Sequence, residues 1–559
     1  MDSHPRVTLL DSTLRDGAQG EGVSFSVADK ISVVRALDAL GVDIIEAGNP
    51  GSNPKDAEFF REARPLRLAR STLAAFGSTR RRDVRPEADA QLASLLAAGT
   101  DVVVLFGKAW DFHVRRVLSA TPEENLAMIG DSVAFLRSSG RRVVFDAEHF
   151  FDGFASDPDY ALACLGEAWK AGAECLVLCD TNGGSLPSRV AEFTRRAACL
   201  GAPLGIHAHN DSGLGVANTL AAVEAGAVHV QGTLAGFGER CGNANLSTVA
   251  ANLQLKMGRT CLAPGALAGM AEAVRRVSEI ANLALDEGMP YVGRRAFAHK
   301  AGMHVDAVRK APASFEHVPP SVVGNERRFL ASEVGGRSVL LDRFRRLLPE
   351  AAKDSPLVAR AAETLKKMEG LGYQYEGAEA SLDILLRKAA GSYTPSFKLG
   401  RYRTTGEHPA ENPSTCAHAM VQLEVEGRRE ISAAEGCGPV HALDLALRKA
   451  LVGFYPSLAD MRLTDYKVRV LPGTGATASV VRVLIDSADG QDLWTTVGVS
   501  ADILEASWIA LVDSIEYKLA KDAQAGTRRE TGDEHADDDD AEDPGRSRGP
   551  SLRGAGAAS

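Results

Sequence analysis

Val7-Thr8-Leu9-Leu10-Asp11-Ser12-Thr13-Leu14-Arg15-Asp16-Gly17-Ala18-Gln19 is the stretch that decides the fold. An apolar run over 7–10 ends in polar residues and a glycine, the pattern of a buried strand running into a loop. A helical stretch follows. Ser26 stands at an N-cap position with Asp29 three residues on, Ile31, Val34, Leu37 and Leu40 keep one apolar face, and Gly41 closes it. The next apolar run starts at once, over 42–45. The unit then recurs roughly every 30 residues, with apolar runs at 68–76, 102–106, 143–145, 176–179, 204–208 and 228–234. Eight strand–helix units predict an α/β fold of parallel (β/α)8 type, a TIM barrel of about 250 residues. A doubly wound open sheet is the alternative. It would carry a Gly-x-Gly-x-x-Gly turn after its first strand, and Leu14-Arg15-Asp16-Gly17-Ala18-Gln19 is no such phosphate cradle.

The chain has 559 residues, 63 Lys+Arg against 73 Asp+Glu, and a net charge of −10; 45% of it is hydrophobic and 24% charged. These values exclude a mostly disordered or fibrous chain and disfavour a basic nucleic-acid binder. No apolar run approaches the roughly 18 residues of a membrane span, and Met1-Asp2-Ser3-His4-Pro5-Arg6 leads directly into the first strand. A soluble, cytoplasmic protein without membrane or nucleic-acid partners is expected. Eight cysteines without a Cys-x-x-Cys pair read as buried, reduced thiols. Cys241 is the one with functional neighbours, and no histidine lies beside it in sequence to make it a nucleophile.

The expected organisation is a barrel over 1–261, helical linker subdomains over 262–394 with helices at 271–285 and 357–368 around a loop-rich stretch at 289–320, and an α+β module over 395–521. In that module 417–425, 468–471 and 480–485 read as strands, and 440–451 and 503–519 as helices. Residues 522–559, with ten acidic and five basic side chains and the run Asp537 to Asp540, read as a disordered tail. Half the net charge therefore lies in that tail, and the acidity of the remainder says little about partners.

A closed barrel gathers the residues just after its strands at one rim, where such folds do chemistry. His207 and His209 close the seventh strand, and their i, i+2 spacing puts both imidazoles on one side about 7 Å apart. Barrel closure makes the first and eighth strands their neighbours, which brings Asp16 and Asn243 near. One carboxylate, two imidazoles and one amide oxygen make a mixed N/O site suited to Mg2+, Mn2+ or Zn2+ as a Lewis acid. The alternative is a pair of structurally hydrogen-bonded histidines. Arg15 would set a permanent positive charge beside the metal. Glu46 closes the second strand and could orient Arg15 or cap a turn. Glu148 closes the fifth strand as a proton-transfer candidate, and Thr181 follows the sixth as a substrate contact.

Three segments, 14–19, 207–211 (His207-Ala208-His209-Asn210-Asp211) and 238–243 (Gly238-Glu239-Arg240-Cys241-Gly242-Asn243), resemble the barrel motifs of the 2-isopropylmalate, homocitrate and citramalate synthase family. The resemblance covers 6 to about 520. It runs on through Phe297-Ala298-His299-Lys300-Ala301-Gly302-Met303-His304, Val323-Gly324-Asn325, and Gly438-Pro439-Val440-His441-Ala442. It implies an acyltransferase in which Asp16, His207, His209 and Asn243 hold the metal and Arg15 stabilises the alkoxide formed as the acetyl-CoA enol attacks a 2-oxoacid. Thr181 would fix the substrate carboxylate, and Glu148 and His304 would share the proton transfers. It further implies a homodimer in which His304 serves the partner subunit's site, and an allosteric C-terminal module for an end product such as isoleucine. Phe315 stands where family members often carry a tyrosine beside that histidine, so a relay through a hydroxyl is absent here.

The segments 145–153 and 45–53 are similar to the citramalate-forming branch, which implies pyruvate as the oxoacid, with Phe150 and Phe151 narrowing the pocket to fit a methyl group. A larger oxoacid, as in the isopropylmalate and homocitrate branches, is the nearest alternative. A metal-dependent lyase or carboxyltransferase on the same barrel, and a silent sensor, are the others.

Overall fold

The computed structural model describes residues 6–330, 341, 344, 345, 355–407, 415–471, 479–490 and 492–530. The tail expected from 522 lies outside the described residues beyond 530. Its first residues are the end of the helix Ile503–Glu530, which continues past the expected limit of the module.

Eight parallel strands close the barrel in sequence order. They are β1 (Thr8–Asp11), β2 (Ile44–Glu46), β3 (Thr72–Ser78), β4 (Val102–Lys108), β5 (Arg142–Glu148), β6 (Cys175–Asp180), β7 (Leu204–Ala208) and β8 (His229–Gly232). Closure is made by β1 on β8, with Thr8 opposite His229 and Asp11 opposite Gly232. Side chains alternate along each strand. Leu10, Ile44, Val102, Val104, Val144 and Val177 fill the barrel interior, and Leu9, Ile45, Val103, Phe145, Leu176 and Ile206 pack outward under the helices.

The first helix, Val27–Leu40, forms as its residues dictate. Ser26 Oγ accepts from Asp29 N at 3.2 Å while Asp29 Oδ2 accepts from Ser26 N at 2.8 Å, and Gly41 ends the helix at φ 91°. Such a cap contributes about 0.5–2 kcal/mol. Leu37 and Val34 are fully buried on the inner face; truncating Leu37 to alanine would cost about 2–5 kcal/mol. Lys30 on the same helix is buried for another reason. Its Nζ donates to Leu14 O at 3.0 Å, Ala47 O at 2.7 Å and Asp56 Oδ1 at 2.6 Å. One ammonium thereby ties down the residue before Arg15 and the residue after Glu46.

By contact density the described chain divides into two units, one of residues up to 299 with 303–329 and one of 300–302 with the rest. The first contains the barrel, the helix Met270–Ile280 and all but the first residue of the helix Gly302–Lys310. That last helix falls in the stretch 289–320 expected to be loop-rich; its buried residues are only Val305 and Val308, too few to give a legible periodicity.

The second unit holds two three-stranded antiparallel sheets, Lys398–Gly406 with Ala417–Val425 and Arg428–Gly436, and Arg462–Val470 with Val481–Ala488 and Leu493–Ser500. The helix Pro439–Leu451 covers the first and Ile503–Glu530 the second. Their shared core includes Val421, Leu443, Leu447, Val483, Val497 and Leu511. The helix Glu379–Ala390, assigned from sequence to the linker, also packs here: Ser381 Oγ donates to Asp513 Oδ2 at 2.7 Å and accepts from Val497 N at 3.0 Å. The module as packed therefore begins upstream of 395.

Candidate active site

The C-terminal ends of the barrel strands enclose a cavity of about 240 Å³. Arg15, Asp16, Glu148, Thr181, His207 and His209 line it together with Phe76, Phe106, Asp146 and Arg240. Six of the nine residues singled out from sequence thus share one pocket, and two more, Glu46 and Asn243, stand directly behind them.

Asp16 is at the centre. Its Oδ2 lies 3.8 Å from Nε2 of His207 and 3.8 Å from Nε2 of His209, and 2.7 Å from Nη1 of Arg15. Burial alone would raise its pKa. Arg15, then the two histidines and the Asn243 amide, overcome that and hold the carboxyl well below the usual range. Burial pushes His207 down to about 4, and His209 down as well, so both imidazoles are neutral near neutral pH.

The tautomer of His207 is fixed from behind. Gln231 Nε2 donates to Asp146 Oδ1 at 2.8 Å, so its Oε1 is the acceptor for His207 Nδ1–H at 2.9 Å. The Nε2 lone pair is left facing Asp16. Asp146 is itself fully enclosed. Burial, then the charge of Glu46, push its carboxyl well above the ordinary range.

Asn243 Nδ2 donates to Asp16 Oδ1 at 2.7 Å and to Phe237 O at 3.1 Å. Its Oδ1 is buried without a partner, and so is Nδ1 of His209. The loop that carries Asn243 is pinned to the end of β7 by Asn210 N donating to Gly242 O at 2.9 Å. Gly238 in that loop has φ 149°, and a Cβ there would come within 2.3 Å of Asn243 Nδ2 and 3.1 Å of Asp16 Oδ1. The glycine is required by the space that Asp16 and Asn243 occupy.

Two neutral imidazole nitrogens and one carboxylate oxygen converge, with an unpaired amide oxygen beside them. That donor set fits a divalent cation with N and O ligands. Among the described residues it is the only group of three His, Cys, Asp or Glu side chains so placed.

Arg15 is held on three sides. Nε bonds Glu46 Oε2 at 2.5 Å, Nη1 bonds Asp16, and the guanidinium carbon lies 3.8 Å above the centre of the Phe76 ring. Burial works against its charge, but Glu46 and then Asp16 more than offset it. Ser12 Oγ also donates to Glu46 Oε2, so the carboxylate orients Arg15 rather than capping a turn. Glu148 at the rim is paired with Lys108. Thr181 Oγ1 accepts from His149 N at 2.8 Å, which leaves its own proton free to be donated.

Two sequence expectations change. Phe150 and Phe151 do not reach the pocket: His149 adopts φ 59°, and the helix Phe150–Ser156 that follows turns both rings into a buried cluster with Phe154 and Phe193. The apolar wall is instead Phe76 on β3 stacked at 5.1 Å on Phe106 of β4. His304, expected at a partner subunit's site, is exposed on the helix Gly302–Lys310, its ring stacked on Phe315 at 4.0 Å, and does not line the pocket of its own chain. The cysteines are not uniformly buried, since Cys199, Cys241 and Cys437 are exposed, and Cys241 does not line the pocket.

Asp146 and Gln231 are residues that sequence reasoning missed. Their signal was a polar side chain within a strand rather than after it. Arg240 was quoted in a motif without a role; at φ 57° it grips Asp211 through two bonds and Thr181 O at 2.7 Å, fixing the rim beside Thr181.

Comparison with known proteins agrees with this geometry. Residues 6–274 match the HMGL-like family, 291–369 the homocitrate synthase post-HMGL domain-like family, and 376–519 the LeuA allosteric (dimerisation) domain. The last match takes in the helix Glu379–Ala390. The chain is 51% identical over 523 residues to an (R)-citramalate synthase of Synechocystis sp., covering 91% of this chain and 96% of that protein. It is 48% identical over 516 residues to one of Geobacter sulfurreducens, covering 92% and 98%. A third, from Aquifex aeolicus, is 47% identical over 523 residues, covering 93% and 99%. With a barrel-end metal-type site and a LeuA-type module on one chain, the protein belongs to the (R)-citramalate synthase family.

Proposed function

We propose that this protein condenses acetyl-CoA with pyruvate and water to give (R)-citramalate and CoA, as a homodimeric cytoplasmic transferase of isoleucine biosynthesis. The convergence of Asp16, His207 and His209 beside Arg15 carries the reading. These three residues would hold a divalent cation, Mg2+, Mn2+ or Zn2+, with Asn243 Oδ1 available as a further donor. Bound there, the cation supplies Lewis acidity toward a carbonyl oxygen.

The chain's own residues do the rest. Arg15 presents a guanidinium whose position is fixed by Glu46, Asp16 and Phe76 before substrate arrives, so it stabilises negative charge developing on the keto oxygen without reorganising. Thr181 donates its hydroxyl proton to the substrate carboxylate. Phe76 and Phe106 close the space around the oxoacid's third carbon, which favours a methyl group over a branched or carboxylated chain. Glu148 and His304, the latter reaching the partner subunit's site, take the methyl proton of the acetyl group and activate the water that cleaves the thioester. With Phe315 beside it, His304 receives no hydroxyl relay. The C-terminal module is the site of feedback by isoleucine.

Product analysis tests this reading. Incubation with acetyl-CoA, pyruvate and a divalent metal should give (R)-citramalate by chiral chromatography. Cleavage of a hydroxyacyl-CoA, with no condensation of any oxoacid, would favour the lyase alternative.

A further inference from the structure

The C-terminal module carries a pair of thiols that the catalytic reading does not use. Cys164 and Cys261 are buried, and burial pushes both thiols up to about 12. Cys416 is half-buried and Cys437 exposed. The antiparallel ladder of Ala417–Val425 with Arg428–Gly436 ends on the pair Ala417 and Gly436. Cys416 and Cys437 are the residues next beyond that pair, and a further step in the same register would set them opposite each other. Directly opposed residues in an antiparallel pair have Cα atoms about 4.5 or 5.5 Å apart, and both values fall within the roughly 4.4–6.8 Å that a disulfide spans. The two residues already touch, with Cys416 Sγ 3.3 Å from the carbonyl oxygen of Cys437.

A base stands beside the exposed member. His441, in the first turn of the helix Pro439–Leu451, has Nδ1 3.2 Å from Cys437 Sγ. The same nitrogen accepts from Cys437 N at 3.3 Å, so it carries the lone pair and can receive the thiol proton. The arrangement is held by Gly436, which has no room for a side chain: a Cβ there would lie 2.6 Å from Ala442 N. Strand end and helix start are fixed against each other, and Cys437 and His441 with them.

We propose that Cys437 and Cys416 form a peroxide-oxidisable dithiol, with Cys437 the attacking thiol, Cys416 the resolving thiol and His441 the proton acceptor. In the first step His441 takes the thiol proton, the sulfur of Cys437 attacks one peroxide oxygen, and the O–O bond breaks. The sulfur keeps that oxygen as a sulfenic acid, and the other oxygen leaves as an alcohol or water with the proton from His441. In the second step Cys416 sulfur attacks the sulfenic sulfur, and hydroxide leaves with the Cys416 proton as water. Two thiols have then given two electrons to one peroxide, and one disulfide pins the strand-to-helix junction of the module. This inference is independent of the substrate and mechanism proposed for the barrel.

The test uses the full reduced chain titrated with hydrogen peroxide, digested without reductant and read by mass spectrometry. The expected product is a cross-linked peptide pair containing Cys416 and Cys437, lighter by two hydrogens, restored by dithiothreitol, and formed before the exposed Cys199 and Cys241 are oxidised. Cys416→Ser should trap a dimedone-reactive sulfenic acid on Cys437, and His441→Ala should slow its formation about tenfold or more. Prior oxidation of Cys199 or Cys241, or passage of Cys437 to a sulfinic acid while Cys416 stays free, overturns the proposal. The order of oxidation in the unmodified chain decides the matter even where a variant folds poorly.

Discussion

Gln231→Leu is the substitution that separates the proposed metal-holding role of the site from its packing. Gln231 is fully buried on β8, and its amide bridges Asp146 Oδ1 at 2.8 Å and His207 Nδ1 at 2.9 Å. Leucine keeps nearly the same shape and loses both bonds. His207 Nδ1–H is left without an acceptor in a buried place, a cost of about 1–3 kcal/mol, and the imidazole is no longer held with Nε2 toward Asp16. Loss of such a supporting partner lowers metal affinity about 10–100-fold, which is roughly 1.4–2.8 kcal/mol. Calorimetric titration of the metal-stripped full chain with Mn2+, alongside urea unfolding of the stripped protein, reads the two effects separately. The expected result is a weaker Kd for Mn2+ by that factor together with a stability loss of about 1–3 kcal/mol. An unchanged Mn2+ affinity in a protein that still loses stability would refute the argument and make Gln231 a packing residue only.

Arg15→Lys replaces a fork held by Glu46 and Asp16 with a point charge, and kcat should fall about 100–1000-fold with little change in KM for pyruvate; a change confined to KM would remove Arg15 from the reacting atoms. Phe106→Val opens the wall formed by Phe76 and Phe106, and the ratio of kcat/KM for 2-oxoisovalerate to that for pyruvate should rise about tenfold or more. An unaltered ratio would show that the wall lies away from the oxoacid's third carbon. Glu316 accepts both bonds of Arg327 and one from His299, and Arg327 first, then His299, holds its carboxyl below the ordinary value of 4.5 despite burial. A depressed acid contributes stability that is present above that value and is lost as pH falls through the folded one. Unfolding free energy should therefore drop as pH falls below about 4.5 in the parent and less steeply in Glu316→Gln, and parallel slopes would contradict the assignment.

The barrel was legible because each unit repeats its own start and stop signals, as Ser26, Asp29 and Gly41 do for Val27–Leu40. The candidate site was legible where polar residues stand at or just beyond a strand's end, which places Arg15, Asp16, His207 and His209 at one rim. What lies within or beyond the strands was harder. Gln231 reads as a strand residue until β8 is seen to point it at His207. Phe150 and Phe151 come two and three residues after the end of β5, close enough to read as rim residues, yet the left-handed His149 turns them into the outer core. Lys398–Gly406 was missed because most of its side chains are exposed, which removes the apolar alternation a strand needs to be recognised. The helix Glu379–Ala390 falls in the stretch assigned to the linker, and its attachment through Ser381 to Asp513, far along the chain, leaves no local signal in the sequence.

The rate of CoA release from acetyl-CoA with pyruvate, 2-oxoisovalerate and 2-oxoglutarate, each with and without a chelator, tests the central claim most directly. Release is expected to be fastest with pyruvate, abolished by the chelator and restored by a divalent metal. Faster turnover of either larger oxoacid, or release that persists in chelator, would contradict it.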